Sequence, residues 1–216
     1  GIDVGGTFTD LVHYDSRAGR VRLAKVPTTL DNQAHGVLAA LDAAGVDAAA
    51  LDLIVHGTTT TTNAVLERRL CKTGLITTEG FRDVLELGPR PQAYGMRGQF
   101  VPLIPRDLRL EVPERMLANG TEHRALDEDA LRAALRQLVA EDCEALVIHF
   151  LHAYANPAHE LRAGEIAREE WPNGNITLGH ALLSESREYE RGVTAAVNAS
   201  VQPLLRRYVE RLADRL

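Results

Sequence analysis

The chain has 216 residues, 45% of them hydrophobic and 25% charged, enough to bury a core in one large domain or two small ones. Its net charge of −6, from 30 acidic and 24 basic residues, speaks against a nucleic-acid or anionic-membrane binder. Its 2 cysteines lack CxxC spacing, which argues against a disulfide framework and for a reducing, cytoplasmic setting.

Three strand-like stretches open the chain, "GIDV", "FTDLVHY" and "VRLAKV", joined by turns at Gly5-Gly6 and "SRAGR". Short loops between three successive strands predict an antiparallel β-β-β meander. Asp31 is positioned to cap a helix over "NQAHGVLAALDAAG", with Val37, Leu38 and Leu41 on one face and Gly45 as its stop. "LDLIVHG" reads as a short buried strand, "TTNAVLERR" as a helix, "KTGLITT" as a strand and "GFRDVLEL" as a short helix. This alternation predicts an α/β layer.

Residues 88–107, with four prolines and three glycines, break the pattern and predict a long irregular loop. "LRLEVPERM" and "GTEHRALD" follow as a hairpin. Asp127 caps a helix with a Leu126–Leu131 staple and a stripe of Leu131, Leu135, Leu138 and Val139. "ALVIHF" is a buried strand, "NPAHELRAGEIAREEW" a helix and "NITLGHAL" the last strand. A long helix starts near Glu188, capped by Ser186, with a kink expected at Pro203. The apolar run "ALVIHFLHAYA" is too short to span a bilayer, and the N-terminus lacks the basic and apolar regions of a signal peptide. The absent Met and the clipped first strand read as a trimmed or processed fragment.

Three stretches carry candidate chemistry. In "GIDVGGTFTD", Gly5 and Gly6 let backbone N–H groups approach an anion, and Thr7 and Thr9 add hydroxyl donors. Asp3 and Asp10 are candidates for holding a divalent metal or its waters. A lone Gly-Gly turn is more often just a hairpin tip. Asp3 on a strand read as buried tilts the balance, since a buried carboxylate is costly unless paired. In "HGTTTTTNAVLERR", Gly57, Thr58, Thr59 and Asn63 offer hydroxyl, amide and backbone donors where a helix begins. The plainer reading there is a threonine cap. In "SESREYERGVTAAVNASVQP", Arg187, Glu188, Glu190 and Arg191 fit helix-start salt bridges, and Asn198 and Gln202 hint at a buried polar stripe.

His149 and His152, three apart on the predicted strand, should point to opposite faces and not share a metal. His13, His35, His123, His159 and His180 lack partner spacing. His56, beside the threonine run, is the one histidine retained as a polar or acid/base candidate.

"GIDVGGTFTDLV", "HGTTTTTNAVLERR…GLITTEGFRDVLELG", "VPERM", "HAYANPAHE" and "REYERGVTAAVNASVQP" fall in one order that resembles the N-terminal region of the hydantoinase A/5-oxoprolinase family. That family includes acetone carboxylase β-type subunits. The resemblance spans essentially the whole chain. It implies an actin-like ATPase (ribonuclease H-like) lobe: an α/β fold with a mixed sheet, an antiparallel β-β-β start and flanking helices. It also implies one lobe over 1–190 and a helix over 188–216 leading to a second lobe.

The resemblance implies ATP and Mg2+ (or another divalent cation) as cofactors. Gly5, Gly6, Thr7 and Thr9 would form a first phosphate loop and Asp3 would neighbour the metal. Asp3, Asp10 and His56 become the catalytic candidates, and Gly57, Thr58, Thr59 and Asn63 further nucleotide contacts. Arg187, Glu188, Tyr189, Glu190, Arg191 and Asn198 become substrate or inter-lobe candidates. Family members phosphorylate the carbonyl oxygen of a lactam or hydantoin, or activate a ketone for carboxylation. The implied partners are a small cyclic amide, the second lobe, a companion subunit and further copies of the chain in an oligomer.

Two departures matter. No second Gly-Gly-Thr turn follows Gly6, so the implied nucleotide site is incomplete within these residues. "LELGPRPQAYGMRG", with Pro89 directly after Gly88, differs from the family's usual stretch, and substrate specificity does not transfer through it. Alternatives are a carboxylase β-type subunit, an actin-like sugar kinase sharing the "GIDxGGT" start, and a non-catalytic lobe that needs a partner chain.

Overall fold

In a computed structural model the described residues are 1–29, 33–86 and 102–214. They form two compact units, one from residues 1–70 and 204–216, the other from 71–203. The lobe expected over 1–190 is thus divided, and the final helix contributes to both units.

In the first unit, period-2 alternation builds the meander: β1 (Ile2–Val4), β2 (Phe8–Asp15) and β3 (Arg20–Pro27) pair antiparallel, with Asp3 opposite Asp10 and Asp10 opposite Lys25. Ile2, Val4 and Leu11 point into a core with Val37, Ala40 and Leu41 of α1 (Gln33–Ala44), which stops at Gly45 with φ +61°. The expected cap Asp31 lies outside the described residues. The fit of α1 on β2 is close: a β-carbon on Gly36 would meet Thr9 Oγ1 at 2.7 Å.

β4 (His56–Thr58) joins β1 in parallel, completing the order β3-β2-β1-β4, and α2 (Thr60–Leu66) follows. The strand expected over 51–57 is therefore shorter and later. β1 offers only three pairing positions, and Leu53 and Val55 ahead of them are 75% and 62% exposed.

The second unit is a parallel sheet, ordered β10-β9-β5-β6, of β5 (Thr73–Thr78), β6 (Arg109–Val112), β9 (Ala145–His149) and β10 (Ile176–Leu178). β5 and β9 are buried along their whole length, as strands covered on both faces must be. α3 (Glu128–Ala140) and α4 (Ala158–Glu170) pack on it, with Leu131, Leu135, Leu138, Ile166 and Trp171 in one core. Asp127 caps α3 as expected, accepting from Ala130 N at 2.9 Å.

Several expected elements change. "GFRDVLEL" makes successive i→i+3 turns through Glu86 in place of a helix. The hairpin is confined to β7 (Arg115–Met116) and β8 (Glu122–Arg124), because Arg109–Val112 is drawn into the sheet beside β5. "NITLGHAL" is strand only through Leu178, then turns into α5 (Gly179–Leu182). α6 (Glu188–Ala213) accepts its first helical bond at the Arg187 carbonyl, one residue past Ser186. Pro203 lies within α6, where the two units divide.

The loop expected over 88–107 lies outside the described residues as far as 101. Its last part is anchored by Arg109, fully buried, which donates to Ile104 O at 2.9 Å and to Glu86 at 2.7 Å. Among the described residues, no helix is long and apolar enough to cross a membrane, and neither cysteine is in a disulfide.

Candidate functional site

The pleat that buries Ile2 and Val4 turns Asp3 outward, so Asp3 is exposed and not buried as the sequence reading supposed. Its neighbours across the sheet are Asp10 and Gly57. A β-carbon on Gly57 would lie 3.4 Å from Asp3 Oδ1, so the glycine leaves the carboxylate clear. Asp10 is engaged by Lys25, whose Nζ lies 2.9 and 3.0 Å from its two oxygens.

The Gly5–Gly6–Thr7 turn between β1 and β2 is closed by Gly5 N donating to Phe8 O at 3.0 Å. Gly6 and Thr7 are exposed at its tip. Beside it stands Asn63 of α2, whose amide Nδ2 would be 3.3 Å from a β-carbon on Gly6 and donates to Thr59 Oγ1 at 3.2 Å. Thr58 Oγ1 is spent locally, accepting from Thr60 N at 3.1 Å. The turn, Thr59 and Asn63 therefore come together.

Thr9 and His56 do not join them. Thr9 is fully buried on the core face, its hydroxyl 3.0 Å from that of Thr28, because it pairs with inward-facing Val4. His56 shares the register of inward-facing Ile2, and its Nε2 lies 2.5 Å from the Tyr208 hydroxyl. Burial lowers the His56 pKa, against the pull of the Asp3 charge, and pushes the Tyr208 phenol up to about 12. The phenol keeps its proton, and one hydrogen bond joins the hydroxyl to Nε2.

The second unit splits the "REYER" residues by helix geometry. Arg187 and Glu190 pair on the outside at 3.4 Å, and Tyr189 is half-buried. Arg191 is fully buried, donating to Phe150 O at 2.7 Å and to Glu188. Asn198 ties α6 to β10 by donating to Thr177 Oγ1 at 3.2 Å.

Around Glu188 the structure assembles residues that spacing missed. β9 ends at His149, and the chain then turns through His152, whose φ is +58°. Both histidines thereby reach Glu188, His149 Nε2 at 3.5 Å and His152 Nδ1 at 3.8 Å, contrary to the opposite faces expected of a continuous strand. Burial, reinforced by the Arg191 charge, lowers the His149 pKa to about 4, whereas burial raises that of Glu188.

Below them Glu160, fully buried, accepts from Phe150 N and His180 N at 2.8 Å each and lies 2.6 Å from His180 Nδ1. His159 lies between two carboxylates, Glu114 at 2.7 Å and Glu122 at 2.9 Å. Glu114 also accepts from Thr78. These pairings are what make so many buried ionisable groups tolerable. The available signal was position: apart from Glu122 in β8, each ends or follows a strand of the parallel sheet or lies in the helix after it. Among the described residues, no group of three or more His, Cys, Asp or Glu is arranged to hold a metal ion.

Residues 1–171 match the family model described as the hydantoinase/oxoprolinase N-terminal region. The chain belongs to the hydantoinase/oxoprolinase family. This hydantoinase/oxoprolinase chain is 36% identical to the caprolactamase alpha subunit of Pseudomonas jessenii, over 98% of its own length and 32% of the relative's. It is 35% identical to the acetophenone carboxylase gamma subunit of Aromatoleum aromaticum, over 100% of its length and 32% of the relative's. The nucleotide-free structure of acetone carboxylase, described as acting in ATP-dependent acetone carboxylation, superposes with a TM-score of 0.87 at 30% identity, over 99% of this chain and 33% of that one. The chain thus spans about a third of the length of these relatives, and it has their α/β fold with a mixed sheet and flanking helices.

Proposed function

We propose that the first unit presents the first phosphate-binding loop of an ATP-dependent enzyme that opens cyclic amides of the hydantoin or 5-oxoproline type. One observation carries the reading: an exposed Gly5–Gly6–Thr7 turn beside the Asn63 amide, on the strand pair that turns Asp3 to solvent. The missing β-carbon at Gly6 leaves room for an anion against backbone N–H groups, which suits a phosphate. Gly5, Gly6, Thr7, Thr59 and Asn63 would hold the phosphates. Asp3 would hold Mg2+ or another divalent cation, directly or through its waters. Thr9 and His56 act behind this surface, Thr9 by packing α1 on β2 and His56 by tying β4 to α6.

Bound ATP supplies a phosphoryl group that turns the amide oxygen from a very poor leaving group into a good one. The protein's share is positioning and neutralisation of charge. The complete enzyme would include a second lobe of the same chain and a companion subunit, as the relatives' names as subunits support.

A ketone carboxylase is the second reading, favoured by the acetophenone carboxylase relative and the acetone carboxylase likeness. The test is phosphate release from Mg-ATP by the complete protein with its companion subunit. The panel holds caprolactam, 5-oxoproline, hydantoin and N-methylhydantoin, then acetone or acetophenone with bicarbonate. Stimulation by a cyclic amide supports the first reading and by a ketone the second. Silence with all of them leaves a non-catalytic lobe.

A further inference from the structure

The second unit gathers acid–base side chains at the C-terminal ends of β5, β9 and β10, the edge of a parallel sheet where ligands characteristically bind. His152 stands out among them. Its φ of +58° lies in a region that residues with a β-carbon seldom adopt and that recurs at functional sites. The conformation is held from both sides: the His152 N–H donates to Glu188 Oε1 at 2.9 Å, and its carbonyl accepts from Ala155 N at 2.9 Å and Asn156 N at 3.2 Å.

The ring is set by this backbone. Nδ1 is buried and lies 3.8 Å from Glu188 Oε1, while 24% of the side chain remains exposed. Glu188 is gripped in turn by Arg191, and the fully buried His149 points Nε2 at its other oxygen from 3.5 Å. Neither ring nitrogen of His149 has a hydrogen bond. Gly179 and Gly192 close the space around that ring, with β-carbon positions 2.9 Å from Nδ1 and 3.0 Å from Nε2.

The geometry points to His152 as the proton-transferring residue of a site in the second unit that takes a small cyclic amide, with Glu188 as its positioning residue. This rests on the proposed function. Nδ1 faces the Glu188 carboxylate, which favours a proton on that nitrogen and leaves the outward Nε2 to accept one; gaps of this length commonly close when substrate binds. In the ring-opening step the water oxygen bonds to the carbon of the phosphorylated amide while one water proton passes through Nε2 to the ring nitrogen. The C–N bonding pair then leaves with that nitrogen, which takes the second water proton. The imidazole ends neutral, the ring opens to an amine and an acyl phosphate, and a second water releases inorganic phosphate from the acyl phosphate.

The charged groups facing His152 are Arg115 of β7 and Glu188 and Arg191 of α6, with the Tyr154 ring edge-on at 5.8 Å. Burial, helped by the two arginines, lowers the His152 pKa and keeps the imidazole neutral and able to accept a proton.

The experiment uses the complete protein with its companion subunit and two variants, His152→Asn and Glu188→Gln. Asn is among the residues that best tolerate positive φ, and Gln keeps an acceptor for the His152 N–H, so both variants should fold. His152→Asn is expected to lower amide-dependent kcat roughly 10²–10⁴-fold with the KM for ATP unchanged, and to remove the acid limb of the kcat/KM pH profile. Glu188→Gln is expected to move that limb to lower pH, because an imidazolium without its carboxylate loses its proton more readily.

Diethyl pyrocarbonate should label His152 but not buried His149, and the amide that turns over should protect it. A wild-type rate and acid limb in His152→Asn, beside active wild type, overturn the His152 assignment alone. Wild-type silence toward every cyclic amide overturns the proposed function, and His152 labelling unaffected by any of them then overturns this site as well.

Discussion

Gly192 stands so close to His149 that a β-carbon there would lie 3.0 Å from the imidazole and 2.6 Å from Leu85 Cδ2. Gly192 is thus a packing requirement of this chain: α6 can cover the end of β9 only where it has no side chain. Gly192→Ala is expected to destabilise the protein by about 1–3 kcal/mol through overpacking, read by denaturant titration. An unchanged midpoint would mean that Leu85 and His149 yield freely.

His149 also gives stability a pH dependence. Its pKa falls from 6.5 unfolded to about 4 folded, so between these values the unfolded chain binds more protons. The contribution is complete above 6.5 and is lost as pH falls toward about 4. His56, with its pKa also lowered, adds in the same direction. Glu188 runs the other way, its raised pKa costing stability as pH climbs above 4.5. His149→Gln should flatten the slope of unfolding free energy across the histidine window, measured in denaturant over a pH series. An equal slope in the variant would assign it to other groups.

Arg109 is fully buried at the start of β6, with Asp83 and Glu86 on one side and the Ile104 carbonyl on the other. Arg109→Met keeps the apolar stem and removes the charged donors. A loss of about 2–3 kcal/mol is expected, since hydrogen bonds to charged groups exceed the usual strength. The two carboxylates are partly exposed and can turn to water, which keeps the loss from being larger. Equilibrium unfolding reads it, and a stability equal to wild type would show the pairing to be idle.

Asp3 is exposed and so contributes little to folding. Asp3→Asn should leave stability within about 0.5 kcal/mol of wild type while abolishing ATP-linked phosphate release by the complete protein. Thermal unfolding and a phosphate assay together separate the two effects. Turnover at the wild-type rate would remove Asp3 from the site.

The sequence was most legible where one local rule decides an element. Alternation in "GIDV" and "FTDLVHY" gives the meander, and Asp127 ahead of an amphipathic stripe gives α3. It was least legible where partners distant in the chain decide. Arg109–Val112 reads as half of a hairpin until β5 competes for its ladder. His149 and His152 read as opposite faces of one strand because nothing local announces the turn at φ +58°.

The same limit applied to the site. The Gly5–Thr7 turn and Asn63 were recognisable from residue type. The inward turn of Thr9 and the His56–Tyr208 contact depend on which face α1 and α6 cover. Asp3 was picked out as a buried carboxylate, and the pleat of β1 exposes it instead.

The most direct measurement is ATP binding, by titration calorimetry, to the complete wild-type protein and its Gly6→Val variant, with folding checked in parallel. A β-branched side chain at Gly6 would crowd Asn63 and occupy the space assigned to phosphate. A folded variant that binds ATP at least about tenfold more weakly, a loss of ~1.4 kcal/mol, is the expected result. A folded variant with wild-type affinity would contradict the assignment of the Gly5–Thr7 turn as the phosphate loop.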